Sequence, residues 1–276
     1  MSPPRVVASD LDGTLLRDDG SVSARTRAAL RLAEQAGATV IIVTGRPPRW
    51  TDLVADELGV RGLAICANGA LVYDVTTRLI VEQHALPGEV ALQVARTLRT
   101  ELPGVTFAIE RRMQFGREPI FVERWPVPGG SPRAELDELL AEPVAKLLAR
   151  HEEMEPDAFK RRAIEVVGES AVATFSSPDA LVEIMAVGVS KASTLAAVCA
   201  ERGVDADDVV AFGDMPNDVP MLAWAGTSYA VETAHPEALA AADQVCGSNE
   251  TDGVAVVLEQ LFDGSTTSRA EGSRRR

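Results

Sequence analysis

Cationic side chains are scarce in this chain of 276 residues: 27 Lys and Arg stand against 41 Asp and Glu, a formal net charge of -14. Binding a nucleic-acid backbone needs clustered Lys and Arg, so that partner is excluded. Cysteine is scarce as well. Cys66, Cys199 and Cys246 are scattered, show no CxxC spacing and form no even set for a disulfide framework. They read as small buried apolar residues in a reducing, cytoplasmic setting. His84, His151 and His235 lie far apart without ligand spacing, which leaves a zinc site unsupported. No apolar stretch approaches the length of a membrane span, about 20 residues. The first residues show no basic stretch followed by an apolar run, so neither a membrane partner nor a signal peptide is expected.

What is present is the composition of a globular protein, with 46% hydrophobic and 25% charged residues. The length exceeds what one core usually needs and predicts two domains, or a core with a large insertion. Short runs that are apolar throughout, at 6–8 and 39–43, suit strands buried on both faces of a parallel sheet. Between them the pattern predicts an amphipathic helix over 24–36, capped by Ser23 and Gly37. That order means a right-handed β-α-β crossover and an α/β fold. The same grammar returns late: helix 191–202, strand 208–212, helix 217–225, strand 227–231, and helices 235–242 and 252–262.

The middle of the chain is patterned differently. The spacing predicts helix 88–101, strands 105–110 and 119–124, helix 133–141, strand 145–150, helix 156–167, and strands 171–176 and 181–186. Ser177-Pro178-Asp179 marks the last pair as an antiparallel hairpin. The expectation is therefore a Rossmann-like parallel α/β core, 1–85 and 188–263, interrupted by an α+β domain, 86–187. A polar tail, 264–276, is expected to be disordered. Hinges are expected near 84–88 and 187–190.

Chemistry-bearing residues gather where strands end. Asp10-Leu11-Asp12-Gly13-Thr14 closes the first strand. Two carboxylates at i and i+2 on an extended segment can face one side and hold a hard cation, or divide into nucleophile and acid/base. Thr44-Gly45-Arg46 closes the second strand, where a hydroxyl and an amide can cradle phosphate oxygens. Lys191 opens a helix, an unfavourable place for a cation unless an anion repays it. Gly213-Asp214-Met215-Pro216-Asn217-Asp218 follows a late strand with two more acids. Each string alone also suits a plain turn, a helix cap or a surface lysine. Together they sit where open α/β sheets bind ligands. Carboxylates converging there repel one another, and Mg2+ with Lys191 is the economical neutraliser.

These four motifs, in this order, resemble the haloacid dehalogenase superfamily of phosphohydrolases. Asn68-Gly69-Ala70 and the long insertion resemble its Cof-type branch, and the αββαβαββ order suits the C2B form of the inserted cap. The resemblance implies Mg2+-dependent hydrolysis of a small phosphorylated metabolite, such as a sugar phosphate, through an aspartyl-phosphate. It implies Asp10 as nucleophile and Asp12 as acid and base. It implies Thr44 and Lys191 on the phosphoryl oxygens, helped by Asn217 and the Gly45 amide. Mg2+ is implied on the Asp10 and Asp214 carboxylates and the Asp12 carbonyl, with Asp218 supporting it directly or through water. Arg46 and Asn68 are candidate substrate contacts. A phosphomutase of the same fold and a non-catalytic sugar-phosphate-binding protein are the alternatives. A phospho-accepting receiver uses a similar cluster but needs no insertion. Arg111, Arg112, Arg117 and Arg124 read mostly as solvated charges, and Trp50, close behind Arg46, as core packing ahead of a place at the mouth of the site.

Overall fold

Val6-Val7-Ala8-Ser9 has no polar face, so it is stable only with cover on both sides. In the computed structural model of the chain, which describes residues 3–271 with side chains as far as 263, it is β1 (Val6–Ser9) at the middle of a sheet, every residue buried. A wide turn, Leu11–Leu15, leads to α1 (Ala24–Gln35), whose cap Ser23 accepts the Thr26 N–H. Then come β2 (Thr39–Val43), α2 (Pro48–Leu58), β3 (Leu63–Cys66), β4 (Leu71–Asp74) and β5 (Leu79–Gln83). The middle of the chain supplies α3 (Gly88–Glu101), β6 (Thr106–Arg111), β7 (Gln114–Arg117), α4 (Leu136–Leu139), β8 (Lys146–Arg150), α5 (Pro156–Val167), β9 (Val172–Thr174) and β10 (Leu181–Met185). The late part supplies α6 (Lys191–Glu201), β11 (Val209–Gly213), α7 (Val219–Trp224), β12 (Thr227–Val231), α8 (Pro236–Ala241), β13 (Gln244–Cys246) and α9 (Gly253–Glu271).

The eight-stranded sheet has the order β13-β12-β11-β1-β2-β3-β4-β5. Its pairs are parallel from β13 to β3, and antiparallel at β3–β4 and β4–β5. The core is thus α/β as expected, with a mixed edge. The sequence pattern names no element between Arg46 and Ala85, where α2 and the hairpins of β3 to β5 lie. The five-stranded sheet, β7-β6-β8-β10-β9, is antiparallel throughout. One face of it, with Phe107, Ile109, Leu147, Ala149, Val182 and Ile184, packs with the apolar residues of α3 and α5. Alternation then sends Glu110, Lys146, Leu148, Leu181 and Glu183 to the other face, toward the large sheet.

Two expectations need correction. No strand forms over 119–124; the partner of β6 is β7, reached by a tight turn at Arg112-Met113. A short turn closes a hairpin before a distant apolar run can compete for the edge. Pro119 and Pro126 bracket the displaced run. Phe121 goes inward against Phe115 and Trp125, at ring distances of 6.4 and 6.3 Å. The helix expected over 133–141 shrinks to α4. The tail expected to be disordered, 264–276, overlaps the end of α9 as far as Glu271; its side chains, and residues 272–276 entirely, lie outside the described residues.

Candidate active site

The chain leaves β1 toward β2 and β3 on one side and re-enters on the other at β11, so β1 sits at the switch point of the strand order. Asp10 follows β1 directly, its N–H donating to the Phe212 carbonyl at 3.0 Å. Its carboxylate is buried and lies 2.8 Å from the Lys191 ammonium. Lys191 is the first residue of α6, which Ser190 and Ser193 cap reciprocally. An ammonium at a helix start opposes the dipole. It is repaid by Asp10 and by Asp218, whose Oδ1 accepts at 2.6 Å. Asp218 Oδ2 accepts the N–H groups of Asp214 and Met215, both at 3.0 Å. This carboxylate has three of its roughly four acceptor positions filled and pins the loop to the lysine. Asp214 closes β11, and Thr14 donates to its Oδ1 at 3.1 Å.

Gly13 carries a φ of +72°, and a Cβ there would stand 2.4 Å from Asp214 Oδ2. Only glycine lets the first motif fold this close to the last.

Carboxylate oxygens of Asp10, Asp214 and Asp218 lie within 4.8 Å of one another. Burial raises the Asp10 carboxyl well above its usual range; Lys191 counters this in part, and Asp218, Asp214 and Asp12 add to the rise. Burial, then Asp218, raises Asp214 to about 7. For Lys191, burial lowers the pKa, and Asp10 and Asp218 more than overcome it, so it stays charged. One ammonium among three clustered acids, Asp10 and Asp218 buried and Asp214 partly so, cannot neutralise them all. A hard divalent cation with oxygen ligands is what this donor set fits.

Around this centre, Thr44 is fully buried at the end of β2, its hydroxyl accepting the Arg46 N–H at 3.1 Å. Asp12 points elsewhere: its side chain is 53% exposed and pairs with Arg46 through two bonds of 2.7 and 2.5 Å. Asn217 donates to Asn68 at 3.0 Å, and Asn68 donates to Glu183 of β10. The Gly45 carbonyl accepts from Lys146 of β8 at 2.8 Å. The ten residues expected in the site all gather at the end of β1, β2 and β11 or opposite them.

A cavity of about 740 Å³ opens over Asp10 and Asp12. Glu110, Lys146 and Glu183 reach it from the second sheet, and Trp50 and Trp125 flank it with rings 6.2 Å apart, edge to face. Trp50 therefore lines the mouth of the site, a correction to its reading as core. Sequence reasoning missed Glu110, Lys146 and Glu183. The signal was a charged residue on one face of each largely apolar strand: TFAIER, KLLAR, LVEIM. Among the described residues lining the cavity, Arg111, Arg112, Arg117 and Arg124 do not occur. Arg111 is held by the Leu139 and Pro143 carbonyls, Arg117 by Glu123, and Arg124 by Glu152 and Asp179.

A family model described as haloacid dehalogenase-like hydrolase matches residues 7–258. The chain belongs to this family. Among haloacid dehalogenase-like relatives, it is 27% identical over 289 residues to 5-amino-6-(5-phospho-D-ribitylamino)uracil phosphatase YwtE of Bacillus subtilis (strain 168), covering 94% of this chain and 99% of that one. It is 30% identical over 264 residues to pyridoxal phosphate phosphatase YbhA of Escherichia coli (strain K12), covering 91% and 96%. Among solved structures, SMU.1108c from Streptococcus mutans UA159 superposes with a TM-score of 0.80 at 21% identity, covering 94% and 99%. The HAD subclass IIB sugar phosphatase BT4131 superposes at 0.78 and 20% identity, covering 93% and 98%. These two show the fold. The chain is a Cof-type phosphatase of this superfamily, a phosphoric monoester hydrolase. No helix among the described residues is long and apolar enough to cross a membrane.

Proposed function

We propose that the chain hydrolyses a small phosphate monoester, a sugar phosphate or similar metabolite, through an aspartyl-phosphate on Asp10 with Mg2+ as cofactor. The single observation that carries this reading is the buried Asp10 carboxylate, 2.8 Å from Lys191 and beside Asp214, at the floor of a cavity. Asp10 attacks phosphorus in line, and the bond to the ester oxygen breaks. Asp12 delivers a proton to the departing alkoxide, then takes one from the water that attacks the acyl-phosphate, which frees Asp10 and inorganic phosphate. Thr44, Lys191, Asn217 and the Gly45 amide hold the phosphoryl oxygens. Asp10, the Asp12 carbonyl and Asp214 would hold Mg2+, with Asp218 behind them. The ion supplies charge neutralisation for the nucleophile and the phosphoryl group. Arg46 holds the Asp12 carboxylate at the cavity, and Asn68 lies buried behind its wall, bonded to Asn217 and Glu183.

Residues 1–85 and 188–263 act as the catalytic core, and 86–187 act as a cap that shuts water out and chooses the alcohol. The cavity volume and its tryptophan wall support a leaving group larger than a simple alcohol. Relatives named for a phosphorylated uracil derivative and for pyridoxal phosphate support a small phosphorylated metabolite. The test is phosphate release from a panel of phosphorylated sugars, cofactors and nucleotides, with Mg2+ or with EDTA. Turnover that needs the metal and vanishes in Asp10→Asn is expected. Folded, metal-bound protein that releases phosphate from no compound would overturn the reading.

A further inference from the structure

A hydrogen-bonded chain runs from the second sheet into the phosphoryl site. Lys146 donates to Glu183 Oε1 at 2.8 Å and to the Gly45 carbonyl at 2.8 Å. Asn68 Nδ2 donates to Glu183 Oε2, and Asn217 Nδ2 donates to Asn68 Oδ1 at 3.0 Å. All four side chains are buried. Gly45 is packed against the chain: a Cβ there would stand 3.1 Å from Asn68 Oδ1 and 3.6 Å from Glu183 Oε2.

The direction of the chain is not free. A primary amide can present either its oxygen or its nitrogen, and what it meets decides which. A carboxylate that takes bonds from Lys146 and Asn68 on its two oxygens acts only as acceptor. It therefore turns Asn68 Nδ2 toward itself and Asn68 Oδ1 toward Asn217. That oxygen in turn draws in Asn217 Nδ2. One N–H of Asn217 is spent on Asn68, and the second remains for the cavity that Asn217 lines. Asn217 Oδ1 is buried and finds no partner among the described residues. Among the described residues Asn68 is the one side-chain partner of this amide; Asn68 in turn donates to Glu183 and, over a longer 3.9 Å, meets Met185 Sδ, a weak acceptor that leaves the carboxylate as the group that sets its direction.

We propose that Glu183 is a positioning residue for phosphoryl transfer: acting through Asn68, it fixes the Asn217 amide with an N–H toward the phosphoryl oxygens. The inference rests on the phosphatase reading above and adds a role that the four motifs do not contain. The orienting group lies on the second sheet, so the phosphate cup is complete only when that sheet is seated on the core. Lys146 adds to this by gripping the carbonyl of the Gly45 loop. Glutamine cannot replace Glu183, because its single carbonyl oxygen serves either Lys146 or Asn68 and turns an NH2 toward the other donor.

The test uses the full chain with Mg2+ and two substrates of unlike leaving group, acetyl phosphate and p-nitrophenyl phosphate, with inorganic phosphate as competitive inhibitor. Glu183→Gln is expected to lower kcat/KM about 10-fold for both substrates and to raise the phosphate inhibition constant by a like factor, the scale of one bond to a charged partner. Glu183→Asp, with two acceptor oxygens on a shorter arm, is expected to recover part of the loss. Asn68→Gly cuts the chain one link nearer the site, at a residue whose φ of +57° glycine accepts, and keeps the test open should Glu183→Gln fold poorly. In an Asn217→Ala background either substitution is expected to cost less than about 2-fold, because residues acting through one another are not additive. Additive losses would overturn the proposal. So would a loss confined to the larger leaving group with phosphate inhibition unchanged, which would make Glu183 a substrate contact. Wild-type chain that neither turns over these esters with Mg2+ nor binds phosphate would overturn the phosphatase reading, and the inference with it.

Discussion

Asp10, Lys191 and Asp218 form a line of alternating charge that solvent barely reaches, with Asp214 beside it. Burial raises the Asp10 carboxyl, so its charge is costly in the metal-free fold. Asp10→Asn is therefore expected to raise the melting temperature in EDTA while removing at least about 10³-fold of kcat, since the nucleophile is gone. A lowered melting temperature would show that the pair with Lys191 outweighs burial. Lys191→Met strands two acids and is expected to cost about 3–5 kcal/mol in denaturant titration in EDTA. These residues were legible because an acid at the end of an apolar strand, or a lysine at a helix start, is costly without a purpose. Glu183 and Lys146 were not. A lone charge inside a strand reads as an outward residue until a second sheet is known to cover it.

At the scale of elements, the turn Leu11–Leu15 brings the first motif to the last. Gly13→Ala would force a Cβ against Asp214 and strain a positive φ. It is expected to leave the fold intact in circular dichroism and to lower Mg2+-dependent turnover by about 10²-fold or more, the cost of misplacing catalytic groups. The crossover β1-α1-β2 and the late β/α units were legible from runs without a polar face. Strand β7 was not: Gln114-Phe115-Gly116-Arg117 has one large apolar residue, whereas Ile120-Phe121-Val122 has three and forms no strand. Turn geometry outweighed hydrophobicity there. Helix α2 escaped because Pro47-Pro48 reads as a break, although proline in the first turn suits a helix start.

Across the whole molecule, the two sheets meet over charge. Arg49 of α2 and Glu110 of β6 join by bonds of 2.6 and 2.8 Å, and Lys146 reaches Gly45. That a second, separate set of strands exists was legible from the change in pattern in the middle of the chain; which side chains join the two sheets was not, because such contacts depend on tertiary approach and leave no periodicity. The acid cluster also gives the molecule a pH signature. Asp214 rises from 3.8 to about 7 in the fold, so without metal the native state binds more protons than the unfolded one across that range. Stability in EDTA should then fall as pH rises from about 4 to above 7. The melting-temperature gain on adding Mg2+ should be larger near pH 8 than near pH 5, because the ion takes the place of those protons. Equal gains at both would count against a metal on this cluster. A phosphoryl group carried by Asp10 can be trapped by acid quench and mass spectrometry of Asp12→Asn during turnover of acetyl phosphate. This substrate's leaving group needs no proton, whereas the second step needs the Asp12 base. A hydroxylamine-sensitive phosphoryl group is expected on the peptide containing Asp10, absent when Asp10→Asn is added. A phosphoryl group on another residue, or undiminished turnover in Asp10→Asn, would contradict it.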